Sequence, residues 1–197
     1  SSMARRPVDH PVAVGPLGLA GDEVADPAVH GGPDKAVHFY PAEHYAAWRA
    51  DIGDHPRLAA PGGFGENLSA TGLTEDRVCI GDRFRIGTAL VEVSQGRQPC
   101  WKLDHHFGRP AMAADVIRTG RGGLYFRVIQ NGEIAPGDTI EQVAAGPSEW
   151  TVGRVFGLLI RGGHKSPEGQ AALTALAALP MLAEGWQRRA AKLRMTH

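Results

Sequence analysis

The chain has 197 residues, with 21 Lys plus Arg against 21 Asp plus Glu and 43% apolar residues. That length builds one substantial core, or a domain with an appendage. Balanced charge argues against a nucleic-acid coat or a membrane-surface protein. No stretch reaches the roughly 18 apolar residues of a membrane span.

Two cysteines, Cys79 and Cys100, make no disulfide framework in a chain this long. The start, with Arg5 and Arg6 and no apolar run behind them, carries no secretory signal. Cytoplasm is the expected compartment. The 26 Gly and 14 Pro predict many turns and short strands rather than a helical bundle.

Residues 7–24 read as short strand pieces separated by Gly15, Gly18 and Gly21. Gly21-Asp22, Gly81-Asp82 and Gly137-Asp138 each read as a turn, and the latter two lead into strands. After the Gly-rich run His30 to Lys35, Ala36 to Tyr40 is a strand. Pro41 then opens a helix that carries Tyr45 and Trp48 on one face. Pro61 to Asn67 is a second Gly-rich loop. From Val78 to Val143 the signal is β throughout, with strands at Val78–Ile80, Arg83–Ile86, Leu90–Ser94 and Leu124–Ile129. Leu124, Phe126 and Val128 alternate with Tyr125 and Arg127. Asn131-Gly132 carries the signature of a type I′ hairpin, with Asp138 to Val143 pairing back.

The character changes at Gly146-Pro147-Ser148. Val152, Val155, Phe156 and Leu159 form one helical face, Ser166-Pro167-Glu168 caps a second helix, and Leu182, Trp186, Ala190 and Leu193 mark a third. The chain therefore divides into a mainly β unit, residues 1–147, and a three-helix extension, residues 148–197. The extension is too small for a robust core of its own, so it packs on the β unit or on a partner.

The chemistry concentrates at Val91 to Lys102, where an alternating strand enters a turn and delivers Cys100 between Arg97 and Lys102. A thiolate is the reactive and metal-binding form of cysteine, and nearby cationic charge favours it. The two Gly-rich loops can present backbone N–H groups to an anion. His30, Asp34, Lys35, Glu66, Asn67 and Arg97 are the polar side chains for a phosphorylated, hydrogen-bond-rich ligand. Neither loop has P-loop or dinucleotide spacing. His30, His38, His44, His105 and His106 sit at no recognised zinc spacing, and no Gly-x-Ser-x-Gly elbow occurs. Seven Lys/Arg against three Glu after residue 147 read as a solvated face rather than a nucleic-acid reader.

These motifs together resemble MOSC proteins, the family of the molybdenum cofactor sulfurase C-terminal domain, and its bacterial YiiM-like branch. The carrying residues are Gly18-Leu19-Ala20-Gly21-Asp22, His30 to Val37, Phe64-Gly65-Glu66-Asn67-Leu68 and Gln95 to Leu103. The resemblance covers residues 5–145, and the helical tail is similar to the extension typical of this branch. In that family a further strand and a Ser/Lys-containing turn precede the Pro-Val matched by Pro7-Val8; Arg5 and Arg6 stand in for that basic turn here.

The resemblance implies a mixed α/β, mainly β fold, a MOSC β-barrel-like domain, that binds the molybdenum cofactor. It implies Cys100 as the catalytic residue and molybdenum ligand, with Arg97 and Lys102 neutralising cofactor charge. His30, Gly31, Gly32, Asp34, Lys35, Gly65, Glu66 and Asn67 would contact the pterin, and Arg127 is a further candidate. The implied activity is reduction of an N-hydroxylated small molecule of the hydroxylaminopurine type, with electrons from a separate flavin or iron–sulfur donor. A non-catalytic carrier of cofactor or sulfur is the alternative. The family is also associated with pyridoxal phosphate.

Overall fold

The computed structural model describes residues 5–22 and 31–195. Their strands are β1 Val12–Gly15, β2 Gly18–Leu19, β3 Val37–Pro41, β4 Leu68–Ala70, β5 Arg83–Ile86, β6 Ala89–Gly96, β7 Leu124–Gln130, β8 Gly132–Ile134 and β9 Ile140–Ala144. The helices are α1 Glu43–Ile52, α2 Lys102–Phe107, α3 Met112–Thr119, α4 Val152–Leu159, α5 Pro167–Ala177 and α6 Glu184–Arg194. Six strands form one curled sheet in the order β4-β3-β7-β6-β5-β9, and three form a second in the order β2-β1-β8. Every pairing is antiparallel except β3 with β4.

Strand alternation explains how this sheet serves two cores. Val37 and Phe39 of β3 alternate with His38 and Tyr40, and their partners on β7 are Phe126 and Leu124. Those apolar side chains join Phe84, Ile86, Val91 and Val93 in the main core. The same cluster takes in Val152, Val155, Phe156, Leu159, Leu173, Leu176 and Trp186 from α4, α5 and α6, so the helical extension packs on the sheet without a break. A second cluster gathers Tyr40, Tyr45, Trp48, Leu58, Phe64, Leu103, Phe107, Met112 and Val116. His38 and Tyr125, paired across β3 and β7, set their rings 5.1 Å apart, and the His38 ring stands edge-on to Tyr40 at 6.2 Å.

Three expectations need correction. Residues 102–107 and 112–119 are helical, not β: α2 and α3 bury Leu103 with Phe107, and Met112 with Val116, each pair at i, i+4. Nor is Asn131-Gly132 a hairpin turn. The chain leaves the six-stranded sheet there, β8 pairs with β1, and β9 pairs with β5. Gly132 serves close approach instead: a Cβ on it would lie 2.4 Å from the Ala89 nitrogen, where β8 crosses the β5–β6 turn. Cys79, expected in a strand, forms a single bridge to Thr151 and is half-buried.

Ser166 caps α5 as its sequence predicts, accepting from the Gly169 amide at 3.0 Å. No helix among the described residues is long and apolar enough to cross a membrane.

Candidate functional site

A β-bulge builds the site. The β6–β7 register shifts between Val93 and Gln95, leaving Ser94 as the extra residue. Its hydroxyl is held between the carbonyls of Asp34, at 2.6 Å, and Tyr125, at 3.0 Å. The shift sets Gln95 opposite Tyr125, which faces His38 on the next strand. Arg97 then leaves the sheet with its amide bonded to the Gly123 carbonyl at 2.9 Å. The turn Gly122-Gly123 must be glycine, because a Cβ on either would lie within 2.5 Å of a carbonyl, Arg97 O or Phe39 O. Glu75 locks that turn by accepting from the Gly123 amide at 2.7 Å, and His44 holds the other oxygen of Glu75 at 2.7 Å.

His38 is the centre of this arrangement. Its ring nitrogens face two backbone carbonyls, Nδ1 toward Gly65 O and Nε2 toward Gly122 O, each at 3.3 Å. Burial drives its pKa down to about 3, and the Arg97 and Arg5 charges push the same way against the two carbonyls. The imidazole is therefore neutral with one N–H. Arg5 Nη1 already donates to Gly65 O, so the Nε2 tautomer, donating to Gly122 O, suits the network. Asn67 completes the connection. Its Oδ1 accepts from the His38 amide and its Nδ2 donates to Asp22, both at 2.8 Å, while Asp22 pairs with Arg5 at 2.6 Å.

The expected site residues divide in three. Gly65, Asn67 and Arg97 meet around His38, with Cys100 three residues beyond Arg97 and half-buried. Glu66 lies in the same loop, but its carboxylate is closed by donors from the Gly62 amide at 2.7 Å, the Phe64 amide at 3.0 Å and the Tyr45 hydroxyl. Asp34 and Arg127 pair with each other at 2.7 Å, and Arg127 continues to Glu92 and thence Arg83. The other Asp34 oxygen accepts from the Glu184 amide at the start of α6, so this pair docks the helical extension. Lys35 is half-buried, and burial lowers its pKa more than neighbouring Asp34 raises it. Gly31 and Gly32 precede the 3₁₀ turn Pro33–Lys35, Lys102 opens α2, and His30 lies outside the described residues.

Two atoms in this region are buried without a hydrogen-bond partner, Arg97 Nη1 and His106 Nε2. A buried donor left unmade costs about 1–3 kcal/mol, so such an atom points to a ligand. A soft sulfur donor at Cys100 and a buried guanidinium with an unused donor at Arg97 are residues that an anionic, sulfur-rich metal group would fit. No cluster of three or more His, Cys, Asp or Glu poised for a bare metal ion occurs among the described residues.

Sequence reasoning placed His38 and His106 among zinc candidates, Asp22 in a turn motif and Tyr125 on a strand face, none of them as a site residue, and passed over Glu75. The period-2 pattern of β3 was the available signal for His38, since it sets a histidine between Val37 and Phe39 on a fully buried strand.

On the other side of the Arg5–Asp22–Asn67 network a cavity of about 740 Å³ opens, walled by β1, β4, the loop at Pro61-Gly62 and the residues from Ile134 to Ile140. Arg5, Asp22, Glu66 and Asn67 line it; Cys100 does not. Cys100 is followed in the chain by Trp101, which is 72% exposed.

Residues 26–141 match the MOSC domain. The chain is 45% identical over 146 residues to the uncharacterized protein YflK of Bacillus subtilis and 43% identical over 144 residues to the protein YiiM of Escherichia coli. These alignments cover 74% and 73% of the chain but 65% and 64% of the relatives, so it spans just under two thirds of their length. A protein of Gibberella moniliformis named "Reductase" is 40% identical over 153 residues, 77% of this chain and 27% of that one. The crystal structure of YiiM from Geobacillus stearothermophilus superposes with a TM-score of 0.84 at 36% identity, covering 98% of this chain and 88% of that one. YiiM from Escherichia coli gives 0.83 at 34%, covering 96% and 87%. With more than half its length matched by that domain, and the same curled sheet and C-terminal helices as both YiiM structures, the chain belongs to the MOSC domain family.

Proposed function

We propose that this protein is a molybdenum-cofactor-dependent reductase of N-hydroxylated small molecules, of the hydroxylaminopurine type, working in the cytoplasm with a separate flavin or iron–sulfur protein as electron donor. The observation that carries the reading is the buried, unpartnered Nη1 of Arg97, three residues from Cys100 on the stretch leading out of β6. The family supplies the cofactor class, and the fungal relative's name supplies the reaction class. When bound, the molybdenum centre supplies two-electron chemistry that neither cysteine nor histidine provides. Overall, R–NHOH takes up two electrons and two protons and becomes R–NH2 and water.

The chain's own residues do the rest. Cys100 holds the metal as a thiolate, the form suited to a soft metal centre. Arg97 gives the cofactor a fixed positive partner. Because its fork is planar and always charged, it offers directional donors that Lys102 cannot. His38 stays neutral and is placed by its one N–H on the Gly122 carbonyl, so the local positive charge comes from guanidinium groups and does not vary near neutral pH. Asn67 and Gly65 fix the loop that borders this charge.

The test is turnover of a hydroxylaminopurine by cofactor-loaded protein with a chemical electron donor, beside Cys100→Ala. Turnover lost in the variant supports the assignment, and turnover retained removes Cys100 as ligand. Cofactor bound and delivered to an apo-acceptor, with no reduction, would instead establish the carrier alternative.

A further inference from the structure

We propose that Glu75 is a positioning residue for Arg97, its side chain fixing the glycine turn on which the Arg97 main chain hangs. The run Gly120-Arg121-Gly122-Gly123 holds three glycines in four residues. Close approach requires glycine at Gly122 and Gly123, yet glycine loses more conformational freedom on ordering than any other residue. Such a turn keeps one shape only when bonds from outside hold it. Three do so here. The Tyr40 hydroxyl donates to Arg121 O at 3.1 Å, His38 Nε2 donates to Gly122 O at 3.3 Å, and Glu75 Oε1 accepts from the Gly123 amide at 2.7 Å. The last is the shortest and the one made by a carboxylate, which makes it the strongest.

The effect reaches Arg97 in one step. Glu75 grips the N–H of Gly123, and the carbonyl of that same residue accepts from the Arg97 amide at 2.9 Å. Gly122 closes from the other side, where a Cβ would lie 2.5 Å from Arg97 O. Arg97 Nη1 has no hydrogen-bond partner among the described residues, so the main chain must place that end of the side chain.

Glu75 is itself held by its second oxygen and by its backbone. Its Oε2 accepts from His44 Nε2 at 2.7 Å, and the His44 ring stands edge-on to Tyr40 at 5.5 Å. Its main-chain carbonyl accepts from the Gly153 amide of α4 at 2.8 Å. The residue is 7% exposed, so water does not stand in for it. Burying a carboxylate costs more than one satisfied N–H returns, which sets this pair apart from ordinary loop bonding.

That Arg97 serves an anionic cofactor rests on the function proposed above; that Glu75 places Arg97 does not. The test follows amide hydrogen exchange at Gly123, Arg97 and Gly153 in the full chain, without cofactor. It also follows the Arg97 Nε–Hε resonance by NMR, assigned with Arg97→Lys. In Glu75→Ala, exchange at Gly123 and Arg97 should accelerate by about ten- to a hundredfold, and the Arg97 resonance should shift or broaden. The Gly153 amide, bonded to the Glu75 main chain, should stay within about threefold of wild type. Glu75→Gln keeps an acceptor oxygen for Gly123 and should restore both the protection and the resonance. Melting curves show which variants fold, and His44→Ala, which removes the aim but keeps the carboxylate, carries the comparison if Glu75→Ala does not. Equal acceleration at Gly153, an Arg97 resonance unmoved when Gly123 is freed, or Glu75→Gln as damaging as Glu75→Ala overturns the positioning role. Arg97 displaced by Glu75→Ala in a protein that never reduces an N-hydroxyl substrate would overturn the reductase and leave this role standing.

Discussion

Glu66→Gln separates a carboxylate that holds a loop from one that holds a ligand. In the structure the Glu66 carboxylate receives three donors: the Gly62 and Phe64 amides at 2.7 and 3.0 Å and the Tyr45 hydroxyl. The residue is 4% exposed, so water cannot replace a lost partner. Glutamine keeps one acceptor oxygen and turns an NH2 group toward at least one of the donors. The substitution therefore replaces charge-assisted bonds by neutral ones and leaves one buried N–H unmade, a combined loss of about 2–4 kcal/mol. For a chain of this size each kcal/mol lowers the melting temperature by about 2–4 °C, so a fall of roughly 5–15 °C is expected by calorimetry. Tyr45→Phe removes one donor but also the acceptor of the Gly63 amide, at 2.9 Å, and should cost about 1–2 kcal/mol. The two losses should not add, because both act on one network. A Glu66→Gln melting temperature within a degree of wild type would refute the loop-holding role and return Glu66 to the ligand contacts.

Three further outcomes follow from the same structure. His38 is held at about 3 against an ordinary 6.5, so the unfolded chain binds the extra proton first as pH falls; the stability His38 contributes is complete above about pH 6.5 and is lost progressively toward pH 3. Between pH 7 and pH 4, urea unfolding should show wild type losing on the order of 3 kcal/mol more than His38→Gln, and parallel curves would contradict it. Asp34→Ala removes the partner of Arg127 and the acceptor of the Glu184 amide; hydrogen exchange at Glu184 should accelerate, with about 1–2 kcal/mol of stability lost, and unchanged protection there would contradict the docking role. Truncation after Gly146 strips Val152, Val155, Phe156, Leu159, Leu173, Leu176 and Trp186 from the main core. At about 1.5–3 kcal/mol per large buried side chain, that exceeds the stability of an ordinary domain, so the shortened chain should lack a cooperative melt.

The C-terminal helices were legible because each announces itself locally: a cap at Ser166, an i, i+3, i+4, i+7 face at Val152. The alternation of β7 was legible for the same reason. Residues 102–119 were not, since Leu103 with Phe107 and Met112 with Val116 are two short i, i+4 pairs separated by Gly108 and Pro110, below the length at which helical period stands out from a β-rich background. Asn131-Gly132 misled because the glycine that favours a tight turn also permits a close backbone approach, here one where a Cβ would lie 2.4 Å from the Ala89 nitrogen, and only tertiary contact shows which use the glycine has. Of the candidate site, the sequence showed the residues that carry charge but not which of them neutralise one another. Asp34 and Arg127 are 93 positions apart, and no local rule predicts that they pair.

That pairing bears on how the site keeps its shape. Asp34 reaches Arg127 on β7 and the first turn of α6, and its own carbonyl receives the bulged Ser94 hydroxyl. Ser94 in turn accepts, through its carbonyl, the Ala183 amide at 2.9 Å. The bulge that re-aims β6 toward Arg97 is thus tied to the helical extension by two backbone amides, Ala183 and Glu184, and to the sheet by the Tyr125 carbonyl. A bulge leaves its extra residue outside the ladder and costs pairing unless other groups satisfy it. Here the satisfying groups come from the last helix, so the extension stabilises the strand irregularity on which the Arg97–Cys100 turn depends. Loosening of α6 should therefore be felt at Arg97 before it is felt at β5 or β9, which join the sheet through residues the extension does not bond.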